Sequence, residues 1–319
     1  MAERLMNAKG TNTENMNERH IAERAMHSTS DFPEILANVL NKSLQNAYEV
    51  SPKTFAPFTR MRTVSDFKQI SSVRLGEGEG LTKVLEGGEF QKGTISEAAE
   101  KYSVEDYGKI YAFTRKMLIN DDLSAFDRLP SLMANRAADL ESDLAWGIIT
   151  GNPVMSDGFA LFSSDHDNLA GAGAAPSITT LGNARSAMRL QVGMDLQYLN
   201  IRPQYLMVPP QLETVAEQLV SSQLNPDDTS KVNPFNASGR TPLQVIVEPR
   251  LGDDSSTKWY LAASLAQVEM LEMAKLQGQE SPFVDSEVGF EVDGIQWKIR
   301  HTLGVQVLDH RGLYQNPGA

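Results

Sequence analysis

Ser163, Ser164, Asp165, His166 and Asp167 follow one another without a break, setting hydroxyls, an imidazole and two carboxylates side by side. Those groups are the parts of a nucleophile, base and carboxylate relay, or of a nitrogen-and-oxygen metal site. Residues that work together in such a relay are usually brought together by the fold rather than by adjacency, and no G-x-S-x-G turn surrounds either serine. The expectation is a polar turn in which Asp165 or Asp167 caps the backbone and His166 packs or hydrogen-bonds between subunits. A hydrolase built on Ser163, His166 and Asp165 or Asp167 is the rival from another class.

Gly76, Gly78 and Gly80 suggest a phosphate cradle only at first sight. The dinucleotide pattern needs G-x-G-x-x-G opening a helix, the phosphate loop needs a closing Gly-Lys-Ser/Thr, and neither follows here. Glu77, Glu79 and Glu86 would also repel phosphate. His20, His27, His301 and His310 are scattered, and no histidine pair shows the H-x-x-x-H spacing of a helical zinc site. Asp227-Asp228 and Asp253-Asp254 lack the alternating oxygen ligands of a calcium loop. The sequence therefore assigns no catalytic, cofactor-binding or metal-binding residue, and no cofactor is expected.

Composition narrows the class. The 319 residues carry no cysteine, which excludes disulfides, thiolate zinc sites and cysteine nucleophiles. A net charge of -12 argues against a protein whose main task is gripping nucleic acid, yet suits a container that holds nucleic acid without adhering to it. No apolar run approaches the roughly 20 residues needed to span a bilayer, and the amino-terminal stretch lacks the apolar core of a secretory signal. A soluble chain, intracellular where it is made and without a membrane partner, is expected.

The elements alternate along the chain. Residues 1–30 are polar and too poor in apolar groups to order themselves, which reads as an arm. From Asp31 the positions Ile35, Leu36, Val39, Leu40 and Leu44 recur at helical spacing. Val64–Val73 and Tyr102–Leu118 are β-patterned, and between them lies LGEGEGLTKVLEGGEF, with almost nothing to fill a core. Two strands joined by such an excursion make a projecting hairpin, most simply covered by a neighbouring subunit. Its tip residues Gly76, Gly78, Gly80, Leu81, Lys83, Val84, Leu85, Gly87 and Gly88 are the expected intersubunit contacts. Arg60, Arg62, Lys68, Arg74, Lys83 and Lys92 stand out against the acidic background, as a solvated ribbon or as partners for an acidic neighbour.

A long helix is expected over 130–149, with Met133, Ala137, Leu140, Leu144 and Ile148 on one face, Pro130 in its first turn and Gly151-Asn152-Pro153 as its stop. An irregular, exposed loop over 168–177 follows. A helix over 181–192, a strand at Tyr205–Val208, a helix over 212–220 and strands at 243–247, 259–262 and 268–273 then form an α/β layer. Asn225–Arg240 reads as a loop. Phe290–Val292 and Ile295–Trp297 flank Asp293-Gly294, a tight hairpin turn, and the last strand is interrupted at Gly304.

Several blocks in this order carry a resemblance: STSDFPEILANVLNKSLQNAYE, LGEGEGLTKVLEGGEF, YGKIYAFTRKMLINDDLSAF, DLESDLAWGIITGNPVMSDGFALFSSDHDNLAG, YLMVPPQLETVAEQ, VNPF and FEVDGIQWKIRHTLGVQVLDHRGLYQNPG. Together they resemble tailed-phage major capsid proteins of the HK97 fold over residues 25–319. More narrowly, the chain is similar to the coat portion of proteins in which a ClpP-like prohead protease is fused to the capsid protein, relatives of Mu-like major head subunits. The protease half is not found here. The resemblance implies an α+β HK97-like fold: arm and helix over 1–61, an extended E-loop over 62–113, a P-domain from 114–177 and 280–319, and an A-domain over 178–279. It also implies a non-enzymatic bacteriophage structural protein, many copies of which self-assemble as pentamers and hexamers into an icosahedral virion capsid around double-stranded DNA. Assembly in the host bacterial cytoplasm with portal, scaffold or decoration proteins is expected. An encapsulin-like nanocompartment shell is the alternative within the same fold.

Overall fold

The computed structural model describes residues 31–76, 97–114, 123–221, 224–225, 228–236, 243–289 and 294–319. The expected arm over 1–30 and the hairpin tip from residue 77 to 96 lie outside the described residues. The chain runs through α1 (Asp31–Val50), β1 (Thr59–Val64), β2 (Ile70–Leu75), β3 (Glu97–Tyr102), β4 (Glu105–Thr114) and α2 (Leu123–Gly151). It continues through α3 (Ile178–Leu190), β5 (Pro203–Val208), α4 (Glu213–Ser221), β6 (Leu224–Asn225), β7 (Asp228–Val232) and β8 (Gln244–Val247). It closes with α5 (Pro249–Asp254), β9 (Trp259–Ala263), β10 (Leu271–Leu276), β11 (Phe283–Gly289), β12 (Gly294–Val307) and β13 (Leu313–Asn316). Two compact units divide these elements, and each draws on three separate stretches of chain.

The first unit takes the chain up to Pro52, Glu105–Leu140 and Leu276–Leu303. Within it β12 pairs antiparallel with both β11 and β4. Helix α1 lies on β11, and Asn41 fixes the contact from both sides of its amide: Nδ2 donates to the Val284 carbonyl at 2.8 Å and Oδ1 accepts from the Val284 N–H at 2.7 Å. Leu44, Tyr48, Met133, Ala134, Ala137, Ala138, Val284 and Trp297 form its core. β11 and β12 pair antiparallel in a register other than the one expected for an Asp293-Gly294 turn. Strand β11 ends at Gly289, which pairs with Gly294, and the expected Phe290–Val292 strand and Asp293 lie outside the described residues. This register sets Val284 and Trp297 on the same buried face, and face selection of that kind decides strand register.

The second unit takes Lys53–Val104, Glu141–Lys275 and Gly304–Ala319. Its main sheet has the order β13-β9-β5-β8, with β5 and β8 parallel and the other pairs antiparallel. Every residue of β9 is buried, which accounts for its unbroken WYLAA sequence. Ser177 caps α3 by accepting from the Thr180 N–H while the Thr180 hydroxyl accepts from the Ser177 N–H, a reciprocal capping box. The stretch expected to be a loop after residue 225 instead carries the β6–β7 ribbon. Its Asn-Pro-Asp-Asp sequence is turn chemistry and serves a hairpin as readily as a loop. In the 168–177 loop, Asn168 and Pro176 are buried although its glycines are exposed.

Helix α2 departs most from expectation. It starts at Leu123, so Pro130 lies inside the helix and not in its first turn. It ends at Gly151, and Asn152 follows in the left-handed region at φ 46°, a helix-stop conformation. Leu140, Leu144 and Ile148 are only half-buried. The buried stripe instead runs through Ala134, Ala138, Glu141, Ala145 and Ile149. Glu141 can lie there because Lys53 and Lys275, both in its own unit, reach its carboxylate at 3.1 and 2.5 Å.

Gly304 does not interrupt the final strand: β12 runs through it. A Cβ at this position would lie 2.3 Å from the Ser103 carbonyl oxygen, so glycine serves close backbone approach. Gly304→Ala is therefore expected to cost about 1–3 kcal/mol through overpacking. Denaturant unfolding checks this, and an unchanged midpoint would contradict the close approach.

Candidate functional site

The described part of the expected hairpin is the β2–β3 ribbon, antiparallel from Ile70↔Tyr102 to Leu75↔Glu97. Strand alternation puts Ile70, Ser72 and Arg74 on one face with Tyr102 and Glu100 opposite them, and Ser71, Val73 and Lys101 on the other. Ile70, Glu100 and Tyr102 are buried, whereas Ser71, Val73 and Lys101 are exposed. The inner face gains a small apolar cluster of Ile70, Tyr102, Val104 and Ala274.

Three polar anchors supplement that cluster. Glu272 of β10 has a fully buried side chain; Tyr102 and Ser72 donate to its Oε1 at 2.5 and 2.7 Å, and Arg62 donates at 3.3 Å. Arg60 lies 3.6 Å from the other carboxylate oxygen and also pairs with Glu269. Higher on the ribbon, Arg74 donates to the Leu308 carbonyl at 3.1 Å and pairs with Asp309 at 2.9 Å. On the second strand, Glu100 accepts from the Ser156 N–H and hydroxyl at 3.0 and 2.6 Å. Arg60, Arg62 and Arg74 thus pair with carboxylates of their own subunit.

Burial alone would raise the pKa of Glu272, but hydrogen bonds from Tyr102 and Ser72 and the charge of Arg62 outweigh it and hold the carboxyl below its ordinary value. Burial also pushes the Tyr102 hydroxyl upward, with the Glu272 hydrogen bond adding to the shift, so Tyr102 remains a donor. Asp309 follows the Glu272 pattern: burial raises, while the Arg311 hydrogen bonds and the charges of Arg74 and Arg311 lower it more.

Of the expected contact residues, Gly76 directly follows β2 and is half-buried, whereas Gly78, Gly80, Leu81, Lys83, Val84, Leu85, Gly87 and Gly88 lie outside the described residues. Beside the ribbon is a groove of about 820 Å³ whose lining includes Arg60, Arg62, Val73, Arg74 and Arg311. A second outward feature escaped the sequence reading. Between α3 and β5 the chain turns back on itself, with Gly193 donating to the Gln197 carbonyl and Leu199 to the Gln191 carbonyl. The turn exposes Leu190, Val192, Leu196 and Tyr198, and Leu196 is 79% exposed in the left-handed region at φ 60°. Only the turn's folding gathers these spaced side chains.

The serine-histidine relay does not form. His166 directs Nε2 to Asp157, 2.9 Å away, and Nδ1 to the Leu161 carbonyl, while the Ser163 hydroxyl accepts from the His166 backbone N–H. Asp165 is exposed. The imidazole is buried and packed within its own unit, and Ser163, His166 and Asp165 are not arranged as the relay that the hydrolase alternative needs. Among the described residues, no helix is long and apolar enough to cross a membrane.

The depressed Glu272 pKa carries a stability consequence. A carboxyl whose folded pKa lies below its unfolded value near 4.5 contributes stability above that value, and the contribution is lost as pH falls through the folded pKa. Glu272→Gln is expected to cost about 2 kcal/mol at pH 7, on the scale of lost hydrogen bonds to a charged group. The difference from the parent protein should shrink at about pH 3. Urea unfolding at the two pH values checks this, and a pH-independent difference would remove the assigned charge role.

The sequence matches the phage capsid protein family over residues 97–316. No curated protein matches it. Among solved structures, Microbacterium phage Oxtober96 is similar with a TM-score of 0.55 at 10% identity, over 84% of this chain and 91% of that one. The capsid structure of cyanophage P-SCSP1u gives 0.55 at 11% identity, over 84% and 89%. The capsid of Myoviridae phage XM1 gives 0.53 at 11% identity, over 84% and 92%. At these identities the likenesses speak to the fold, which is the α+β HK97-like capsid fold, while the family match covers more than half of the sequence. The chain belongs to the phage capsid protein family, whose members build the virion shell.

Proposed function

We propose that copies of this protein join through the projecting hairpin, each ribbon leaving a rigidly anchored root to lie along a neighbour in a closed icosahedral shell around double-stranded DNA. The observation that carries this reading is the polarity of the ribbon: its inner face is bound to Glu272, Asp309 and Ser156, while its outer face leaves Val73 56% exposed. Such a ribbon holds its direction without contributing a large core. We assign residues 62–113 to the E-loop, 114–177 and 280–319 to the P-domain, and 178–279 to the A-domain. The tip residues Gly76, Gly78, Gly80, Leu81, Lys83, Val84, Leu85, Gly87 and Gly88 are the proposed contacts. Glycine supplies the conformational freedom of a long ribbon, and Leu81, Val84 and Leu85 would each contribute about 1.5–3 kcal/mol if covered by the neighbour.

The role is structural rather than catalytic. A net charge of -12 lets DNA be confined without adhering. Assembly takes place in the host cytoplasm with portal and scaffold or decoration proteins, and the chain corresponds to the coat portion of a protease-fused, Mu-like lineage. The exposed turn carrying Leu190, Val192, Leu196 and Tyr198 is a second surface for a neighbouring copy, since clustered exposed apolar side chains mark interaction sites.

Two variants test these contacts. Replacing residues 76–88 with a short turn should leave subunit stability within about 0.5 kcal/mol, as for a segment outside the core, while abolishing closed shells in electron micrographs. Normal shells would overturn the hairpin assignment. Leu196→Asn should keep or raise subunit stability by up to about 1 kcal/mol by easing the left-handed backbone, and yet lower shell yield. Unchanged yield in light scattering would remove the turn from the interface.

A further inference from the structure

Helix α3 buries one face and gives the other to a groove. Leu181, Ala184 and Met188 are buried, whereas Gly182, Arg185, Ser186 and Arg189, spaced along a single helix face, line a groove of about 1020 Å³. Arg202, just before β5, adds a third guanidinium to the lining. Its backbone is fixed by Gln267, whose Oε1 accepts from the Arg202 N–H at 2.9 Å and whose Nε2 donates to the Arg202 carbonyl at 3.2 Å. Among the described residues no carboxylate lines the groove, and neither Arg189 nor Arg202 makes an ion pair. Three arginines gathered on one surface of a chain with net charge -12 call for an acidic partner.

Two further features suit the groove to an occupant. Arg185 lies over the ring of Phe235, 4.6 Å from its centroid, which holds the guanidinium in place. Gly182 weakens the helix relative to alanine, yet a Cβ at this position would meet nothing within 4 Å. The packing of the subunit itself therefore gives no reason for the missing side chain. Together with Ser186, one turn on, it leaves a low slot beside the arginines.

Helix α4 of the same unit carries the complement. It packs on β5 and β8 and buries Ala216 and Leu219, while Glu213, Val215 and Glu217 are exposed. Glu213 stands in the first turn, where it answers the helix's own N-terminus, but Glu217 does not. Neither carboxylate makes an ion pair among the described residues. Glu213 and Glu217 are four residues apart, as are Arg185 and Arg189, so each pair advances about 6 Å along its helix. The groove lies at the starting end of β5, through Arg202 and Pro203, whereas α4 begins beyond the strand's closing end at Val208. One subunit thus presents the two charges at separate places, as a head-to-tail contact requires.

We propose that the α3 groove of one copy receives α4 of the next, with Glu213 and Glu217 against Arg189 and Arg202 and with Val215 over the slot left by Gly182 and Ser186. Such a contact joins two different surfaces, so it propagates from copy to copy and closes into a ring when the rotation allows. It rests on the reading of this protein as a shell subunit and is separate from the hairpin contact.

The test follows full-length variants by light scattering and electron microscopy. Arg189→Glu with Arg202→Glu, and Glu213→Lys with Glu217→Lys, change exposed side chains and should leave thermal unfolding where it is in the parent. Each double variant should lower assembly yield at least about 10-fold, because like charges then face each other. Mixing the two should restore assembly, since the reversed groove of one meets the reversed helix of the other, and one chain with all four substitutions should also assemble. Gly182→Gln should fill the slot and lower the yield without changing thermal unfolding. If the parent and both double variants assemble equally well, the α3–α4 contact is overturned while the shell reading stands; a parent that never assembles overturns the shell reading and this contact with it. A defect in the groove variant alone, with no rescue on mixing, overturns α4 as the occupant, and a loss of bound DNA in that variant assigns the groove to nucleic acid instead.

Discussion

Glu272 is a carboxylate without solvent, held against the β2–β3 ribbon. Stripping water from a carboxylate costs several kcal/mol, and only well-placed donors and charges can offset that cost. Tyr102 and Ser72 supply the donors from the ribbon itself, and Arg60 and Arg62 supply the charge from β1. The buried charge therefore requires the ribbon strands and β1 to stay where they are. A displaced ribbon would leave the carboxylate uncompensated.

This constraint suits the geometry of the subunit. The β2–β3 ribbon buries little apolar surface, essentially Ile70, Tyr102 and Val104, and apolar contact is non-directional. Hydrogen bonds and ion pairs do have direction, and they recur where direction matters: Arg74 on Asp309, Glu100 on Ser156, and Glu141 between two lysines. In each case the paired groups come from distant stretches of chain. The second unit is thereby closed by polar clamps as well as by the apolar strands of its main sheet.

A fixed root has consequences for a shell built from many weak contacts. Each contact raises the effective concentration of the next when the parts that make them are held at set distances, and under the proposed hairpin contact a loosely hinged ribbon would lose that gain. The exposed turn at Leu196 belongs to the same unit as the ribbon root. Its leucine combines a left-handed backbone with an apolar side chain in water, two local costs at one residue.

Much of this architecture was legible in the residues. Apolar spacing marked the helix from Asp31, the runs Tyr205–Val208 and Trp259–Ala262 marked buried strands, and Gly151-Asn152-Pro153 marked a helix end, because periodicity and backbone preference act within a few residues. Ordered sequence blocks carried the resemblance to capsid proteins. Local signals failed where a distant partner changed the value of a residue. Glu141 belongs to the buried stripe of α2 only because Lys53 and Lys275 reach it, and the β11–β12 register is the one that buries Val284 and Trp297 on one face. His166 stood beside Asp165 and Asp167 in the sequence, but turned to Asp157 and His310. Sequence by itself determined which segments form helices and strands and that a polar excursion breaks the β pattern. Tertiary structure alone decided which charges could be buried, because that depends on oppositely charged groups that come within a few ångströms only when the chain has folded.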